Sequence, residues 1–149
     1  MYSAGKLTAY VDGSFNPEVN RYAYGCVLID PNGGIKELYG SGNDPEALKQ
    51  RNVSGEMIAS MLAVQHALKN GYGEIDIYYD YSGIECWVTG AWKAKNELTK
   101  SYRDWMNAKK DRISISFHKV AAHTNDKYNE QADKLAKKGL TMEPGLPEV

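Results

Sequence analysis

The chain has 149 residues, 42% of them hydrophobic and 25% charged, and a formal net charge of -1 at pH 7. That length suffices for one domain with a buried core, and so small a net charge excludes binding to polyanions through the global field; a nucleic-acid contact would need a local basic patch. No stretch is apolar and long enough to span a membrane, Met1 to Lys6 lacks the core of a signal peptide, and a soluble, cytoplasmic protein is expected.

Residues 1–5 read as an N-terminal extension. Leu7, Ala9 and Val11 alternate with Thr8, Tyr10 and Asp12, the pattern of a strand. Both sets contain β-formers, so the strand suits a central position covered on two faces. A carboxylate at Asp12 has no packing role there and is costly unless paired, hydrogen-bonded or metal-bound. The plain alternative is that Asp12-Gly13-Ser14 is a turn. Phe15 to Arg21, with Asn16-Pro17 and Asn20, reads as a loop. Tyr22 to Asp30 is a second strand, Pro31-Asn32-Gly33-Gly34 a hairpin turn, and Ile35 to Gly42 a third strand at an edge. Cys26 and Cys86 have no metal-ligand spacing and read as small apolar residues of a reducing compartment, with a single disulfide as the alternative.

The period then changes. Ile58, Met61, Leu62, Val64 and Leu68 recur at helical spacing from Gly55 to Lys69, with Ser54 as N-cap and Asn70-Gly71 as the stop. Ile75 to Asp80 is a fourth strand, best joined in parallel to the meander by a right-handed crossover. Gly83 to Thr89 and Tyr102 to Lys109 read as helices, and Ile113 to Phe117 as the last strand. Asn125 or Asp126 caps a terminal helix with Tyr128, Ala132, Leu135 and Ala136 on its apolar side. The tail, residues 141–149, is expected to be loose. The sum is an α/β fold: a five-stranded mixed sheet, an antiparallel three-strand meander plus parallel strands, flanked by α-helices.

Four acidic residues stand where such a sheet could gather them, near the carboxyl ends of parallel strands. They are Asp12 on the first strand, Glu56 in the first turn of the long helix, Asp80 at the end of the fourth strand, and Asp133 on the last helix. Glu130 lies three residues before Asp133, on the same face. Each has an ordinary reading: a first-turn helix acid for Glu56, a helix cap for Asp80, a solvated face for Asp133 and Glu130. If they converge, repulsion raises their pKa values unless a divalent cation compensates, and oxygen-only ligands suit Mg²⁺ or Mn²⁺.

Four blocks carry a resemblance: Tyr10-Val11-Asp12-Gly13-Ser14, Ser54-Gly55-Glu56-Met57, Tyr79-Asp80-Tyr81-Ser82, and Ala122 through Asp133. In this order and spacing they resemble the signature blocks of ribonuclease H, type 1. The resemblance runs from the first strand to the last helix and makes residues 6–140 the catalytic domain. It implies a ribonuclease H-like fold and hydrolysis of the RNA strand of an RNA–DNA hybrid, leaving 5′-phosphate and 3′-hydroxyl ends. It implies Asp12, Glu56, Asp80 and Asp133 as ligands of two Mg²⁺ ions with substrate, Mn²⁺ substituting. Two cations roughly 3.5–4 Å apart suit an in-line phosphodiester displacement, one activating water and one stabilising the leaving oxygen. By the same resemblance His123, in a polar loop, is a proton shuttle, and Glu130 either supports the metal-binding carboxylates from behind or assists product release. His66 and His118 match no block and read as structural.

The resemblance also places Gly13, Ser14 and Asn52 against the 2′-hydroxyls that distinguish the RNA strand, and Asn16 against the DNA strand, although Asn16 equally suits a turn beside Pro17. From Lys93 to Arg112 there are seven basic residues against three acidic ones. Lys93, Lys95 and the nearby Trp92 fit a phosphate-tracking surface with an aromatic platform; a solvated helix–loop–helix with core tryptophans fits equally. Tyr81 stands where the family pattern has serine, and Val53-Ser54 where it has a polar and basic pair. A monomer is expected. The competing readings are the excised nuclease domain of a reverse transcriptase and a nuclease-dead binding module on the same fold.

Overall fold

The computed structural model describes residues 5–120 and 126–149. Strands β1 (Lys6–Asn16), β2 (Arg21–Ile29), β3 (Ile35–Gly42), β4 (Glu74–Tyr79) and β5 (Ser114–Lys119) form one sheet in the order β3-β2-β1-β4-β5. The β1–β2 and β2–β3 pairs are antiparallel, whereas β1–β4 and β4–β5 are parallel. The helices are α1 (Pro45–Leu48), α2 (Asn52–Lys69), α3 (Gly83–Thr89), α4 (Glu97–Lys109) and α5 (Lys127–Gly139). Two parallel pairs require two long crossovers. The chain supplies them with α2 before β4 and with α3 and α4 before β5.

One face of the sheet carries the main core. Leu7, Ala9 and Val11 of β1, Cys26 and Leu28 of β2, and Ile75 and Ile77 of β4 pack against Met57, Leu62 and Val64 of α2 and against Ile84, Tyr102 and Met106 of α3 and α4. On the other face Val27 meets Ala132 and Leu135 of α5, bordered by Tyr10, Tyr39 and Tyr128. β1 is thus covered on both sides, as its two sets of β-formers predict, and β2 is covered on both sides beside it. The outer face of β4 carries an aromatic row instead: Tyr78 stacks on Tyr10 at 4.6 Å and on His118 at 4.7 Å. His118 Nε2 lies 3.0 Å from Asp76 Oδ1, in keeping with a structural role.

Helix α2 meets the sheet at backbone distance. A Cβ at Gly55 would collide with the carbonyl oxygen of Ala23, and one at Gly13 with the carbonyl oxygen of Asn52 and the amide nitrogen of Glu56. Only hydrogen at both positions permits this approach.

Several boundaries differ from the sequence pattern. β1 runs on through Asp12-Gly13-Ser14, which pair with Gly25, Tyr24 and Ala23, so these residues are strand and not turn. Phe15 and Asn16 belong to the strand as well, and the loop contracts to Pro17–Asn20, closed by Asn20 at φ 54°. α2 begins at Asn52, ahead of Ser54, whose hydroxyl donates to the Ala47 carbonyl at 2.5 Å from inside the helix. α1, absent from the pattern, is too short to show a period and is set by the Asp44 cap on the Ala47 amide. α4 starts five residues before Tyr102 because Asn96 and Thr99 form a reciprocal capping box. Asp126 caps α5 through the amides of Tyr128 and Asn129. Both cysteines are free thiols.

The tail is docked, against expectation. Its Gly145 amide donates to the Ser41 carbonyl at 3.0 Å, the Tyr24 hydroxyl to the Gly145 carbonyl at 2.6 Å, and the Ser41 hydroxyl to the Met142 carbonyl at 2.8 Å. Arg21 Nη1 adds a bond to Met142 O at 2.9 Å. The outer edge of β3, rich in unpaired backbone groups, is what captures it.

Candidate active site

Parallel pairing of β1 with β4 puts Tyr10 opposite Tyr78. Asp12 and Asp80 each lie two residues further along, so the register alone brings them to the same end of adjacent chain segments. Asp80 directly follows β4 and is exposed. It does not cap α3, whose N-cap position belongs to Ser82. Asp12 is part-buried, and its Oδ1 accepts from the Gly13 amide at 2.8 Å.

Glu56 is 2% exposed. Because α2 starts at Asn52, Glu56 sits beyond the first turn, and the helix terminus is not what holds its charge. Two backbone amides do so instead: Asp80 N–H donates to Oε2 at 2.6 Å and Tyr81 N–H to Oε1 at 3.2 Å. The turn that presents Asp80 therefore also clamps Glu56. Asp133 completes the group from α5, with Lys137 Nζ 3.0 Å from its Oδ2.

The carboxyls sense one another. Burial pushes Asp12 up to about 7; the Gly13 amide opposes this, while the Asp133 carboxyl, in charge and hydrogen-bond contact, and the Asp80 charge add to it. Glu56 is pushed up to about 8, first by burial, with the Asp80 and Tyr81 amides pulling the other way and the charges of Asp12 and Asp80 reinforcing it. The four acids singled out from the sequence are thus one electrostatic cluster. Among the described residues, no three His, Cys, Asp or Glu side chains are drawn tightly enough to hold a metal ion as they stand. The donor set still fits a hard divalent cation: every ligand atom is oxygen, and the repulsion among Asp12, Asp80 and Asp133 is what such a cation relieves.

The remaining expected residues divide. Gly13 and Ser14 are mid-strand, and Gly13 lies against the backbone of Asn52, the exposed first residue of α2. Asn16 uses its Oδ1 to accept from the Glu18 amide at 2.9 Å, which is its turn-forming role. Glu130 is exposed in the first turn of α5. His123 lies outside the described residues. Trp87 is core at 8% exposure, whereas Trp92 is 41% exposed. Tyr81 joins both in a three-ring cluster, with centroids 5.8 Å from Trp87 and 5.9 Å from Trp92, which carries an aromatic surface up to Asp80.

Lys93 and Lys95 are exposed on either side of buried Ala94. Elsewhere in the basic segment Lys100 pairs with Glu97 at 3.9 Å, Arg103 with Asp104 at 2.8 Å, and Lys109 lies over the Trp105 ring at 4.8 Å, whereas Lys110 and Arg112 are exposed and outside the ion pairs of the described residues. Two residues of the site are not singled out by the sequence pattern. Tyr81 contributes both amide and ring, and its only signal is its departure from a serine pattern. Lys137 is legible in principle, one helical turn after Asp133.

The chain is similar to known proteins over most of its length. The RNase H family model matches residues 4–141. The ribonuclease H of Agrobacterium fabrum is 32% identical over 146 residues, covering 91% of this chain and 93% of that protein. That of Chlorobium phaeovibrioides is 28% identical, covering 93% and 98%. Among solved structures, the RNase H1 of Halobacterium salinarum superposes with a TM-score of 0.75 at 26% identity, over 91% of this chain and 98% of that one. LC11-RNase H1, solved in complex with an RNA/DNA hybrid, shares the fold with a TM-score of 0.72 at 18% identity, over 90% and 96%.

Proposed function

The chain belongs to the ribonuclease H family, and on that premise we propose that it is an endonuclease hydrolysing the RNA strand of RNA–DNA hybrids, leaving 5′-phosphate and 3′-hydroxyl ends. The observation that carries the reading is Glu56: a carboxylate 2% exposed, held by the Asp80 and Tyr81 amides beside Asp12 and Asp80. Burying an acid in this way has no packing benefit and needs a chemical reason.

Asp12, Glu56, Asp80 and Asp133 would hold two divalent cations. Bound there, such ions supply an acidified water and shield charge at the phosphate and the departing oxygen. The protein's own part is positional. The β1–β4 register aligns Asp12 with Asp80, and the backbone amides keep Glu56 ionisable in a buried place. Lys137 pairs with Asp133 and orients it. Asn52, Gly13 and Ser14 line the approach where 2′-hydroxyls would be read. Trp92 with Lys93 and Lys95 offers a ring and two cations to a sugar–phosphate backbone. His123 as proton shuttle and Glu130 in product release belong to the same proposal.

A fluorescent hybrid-cleavage assay with and without Mg²⁺ tests it. The expected result is cleavage of the RNA strand only, dependent on the ion. Binding of hybrid without cleavage at any Mg²⁺ or Mn²⁺ concentration would make the chain a binding module instead.

A further inference from the structure

α3 is seven residues long and ends at Gly90 with no side-chain cap at its start. A helix so short does not hold itself in place. Yet the turn before it, residues 80–82, supplies both amides that grip Glu56. Something must fix that turn, and two tyrosines, one from β4 and one from α4, bond to α3 directly after it. Tyr79, the last residue of β4 and 3% exposed, donates its hydroxyl to Glu85 Oε1 at 2.5 Å. Its ring is set against Phe117 of β5, edge to face at 6.0 Å. From α4, the buried Tyr102 hydroxyl donates to the Ile84 carbonyl at 2.6 Å, and Asn107 Nδ2 to the Val88 carbonyl at 3.1 Å. Within the loop, Ile84 N–H donates to Tyr81 O at 2.9 Å and Cys86 N–H to Ser82 O at 3.0 Å. The Tyr79–Glu85 bond closes a ring of chain that has Asp80 and Tyr81 inside it.

We propose that Tyr79 and Glu85 form a positioning pair: by tying α3 back to the end of β4, their bond keeps the Asp80 and Tyr81 amides on Glu56 and sets where Asp80 stands. Neither side chain touches the reacting atoms. The inference rests on the catalytic reading of Glu56 and Asp80. Losing the bond lets the turn shift while the fold persists, because Tyr102 still anchors α3 to α4. The penalty then falls on alignment, where displacements of about 1 Å cost up to about 100-fold in rate.

The test uses the full chain with Tyr79→Phe, Glu85→Gln and the double variant. Glu85→Gln keeps an acceptor oxygen and guards against a Tyr79→Phe protein that folds poorly. In Tyr79→Phe we expect kcat on a hybrid to fall by about tenfold with KM within about twofold. The Mg²⁺ concentration needed to raise Tm by a fixed amount should increase severalfold. Amide exchange should accelerate at Asp80 and Tyr81 while remote amides, such as those of β2, stay protected. Glu85→Gln should show the same pattern more weakly, and the double variant should be no worse than Tyr79→Phe, since both act through one bond. A lower Tm with unchanged kcat, Mg²⁺ response and Asp80 exchange would reduce the pair to ordinary packing and overturn the proposal. If the parent neither cleaves hybrid nor responds to the ion, the functional reading fails and this one with it. An active parent with indifferent variants sinks this one alone.

Discussion

Asp12 and Glu56 bind protons more tightly in the folded chain than in the unfolded one, with values pushed up to about 7 and about 8. The sign of the consequence follows from linkage. A carboxyl raised on folding contributes stability that is full below its unfolded value, near 4, and is lost as pH rises through the folded value. The ion-free protein should therefore melt at lower temperature at pH 8 than at pH 5.5, and the Mg²⁺-induced rise in Tm should grow across that interval. Asp12→Asn removes one of the repelling charges. It should abolish cleavage, leave the circular dichroism spectrum unchanged, and raise the ion-free Tm at pH 8 by about 2–4 °C, the shift expected for roughly 1 kcal/mol in a chain of this size. Calorimetry in chelator at the two pH values checks this; retained activity within tenfold of the parent would take Asp12 out of the chemistry. These acids are legible in sequence through the family blocks that hold them, since each taken alone reads as a turn, helix-end or surface carboxylate. Their support is not: the donors to Glu56 are main-chain amides of Asp80 and Tyr81, and main-chain donors leave no trace in residue type.

Among the elements, those with a long period or a clean alternation are readable, and the short ones are not. α2 and β2 follow from residue spacing, whereas α1 exists only because Asp44 caps Ala47 in front of α2. The extension of β1 through Asp-Gly-Ser is hidden for a different reason. Nine consecutive pairings with β2 override a local turn preference that the same dipeptide would express in isolation. The α3–α4 segment divides in the same manner. Its charge excess is visible, but only the structure separates Lys93 and Lys95, which are exposed and outside the ion pairs of the described residues, from Lys100 and Arg103, which have acidic neighbours. Lys93→Ala with Lys95→Ala should weaken hybrid binding and lower the slope of log K against log salt by roughly 0.9 for each phosphate no longer neutralised. Titrations at three salt concentrations measure it; an unchanged slope would assign both lysines to solvent.

At the scale of the molecule, an antiparallel meander joined by crossovers to parallel strands is inferable from the sequence, whereas the order β3-β2-β1-β4-β5 and the docked tail are not. Pro144, Gly145 and Pro147 read as disorder until an edge strand is there to receive them. The tail's Gly145 carbonyl is the acceptor for Tyr24, a residue 1% exposed. Ending the chain before Thr141 should leave that hydroxyl without its partner and cost about 1–3 kcal/mol, read as a fall in Tm. Tyr24→Phe should lower stability in the full chain and recover part of the loss in the shortened one. Equal effects of Tyr24→Phe in both backgrounds would show that the tail does not serve this group.

The meeting of α2 with the sheet through Gly55 and Gly13 has a bearing on how this protein tolerates change. In most helix–sheet pairs the spacing is the sum of two side-chain layers, so every substitution in the core nudges it. Here backbone rests on backbone at the point that sets Glu56 beside Asp12. The junction acts as a mechanical stop: core volume can drift by a methylene elsewhere along α2 without transmitting that drift to the two acids. Heritable variation in the core and the precision of the site are thereby decoupled, at the cost of complete intolerance at two positions. Gly55→Ala, a substitution that ordinarily favours a helix by about 1 kcal/mol, should instead destabilise the chain and eliminate cleavage, whereas Val64→Ile on the same helix should leave kcat nearly untouched.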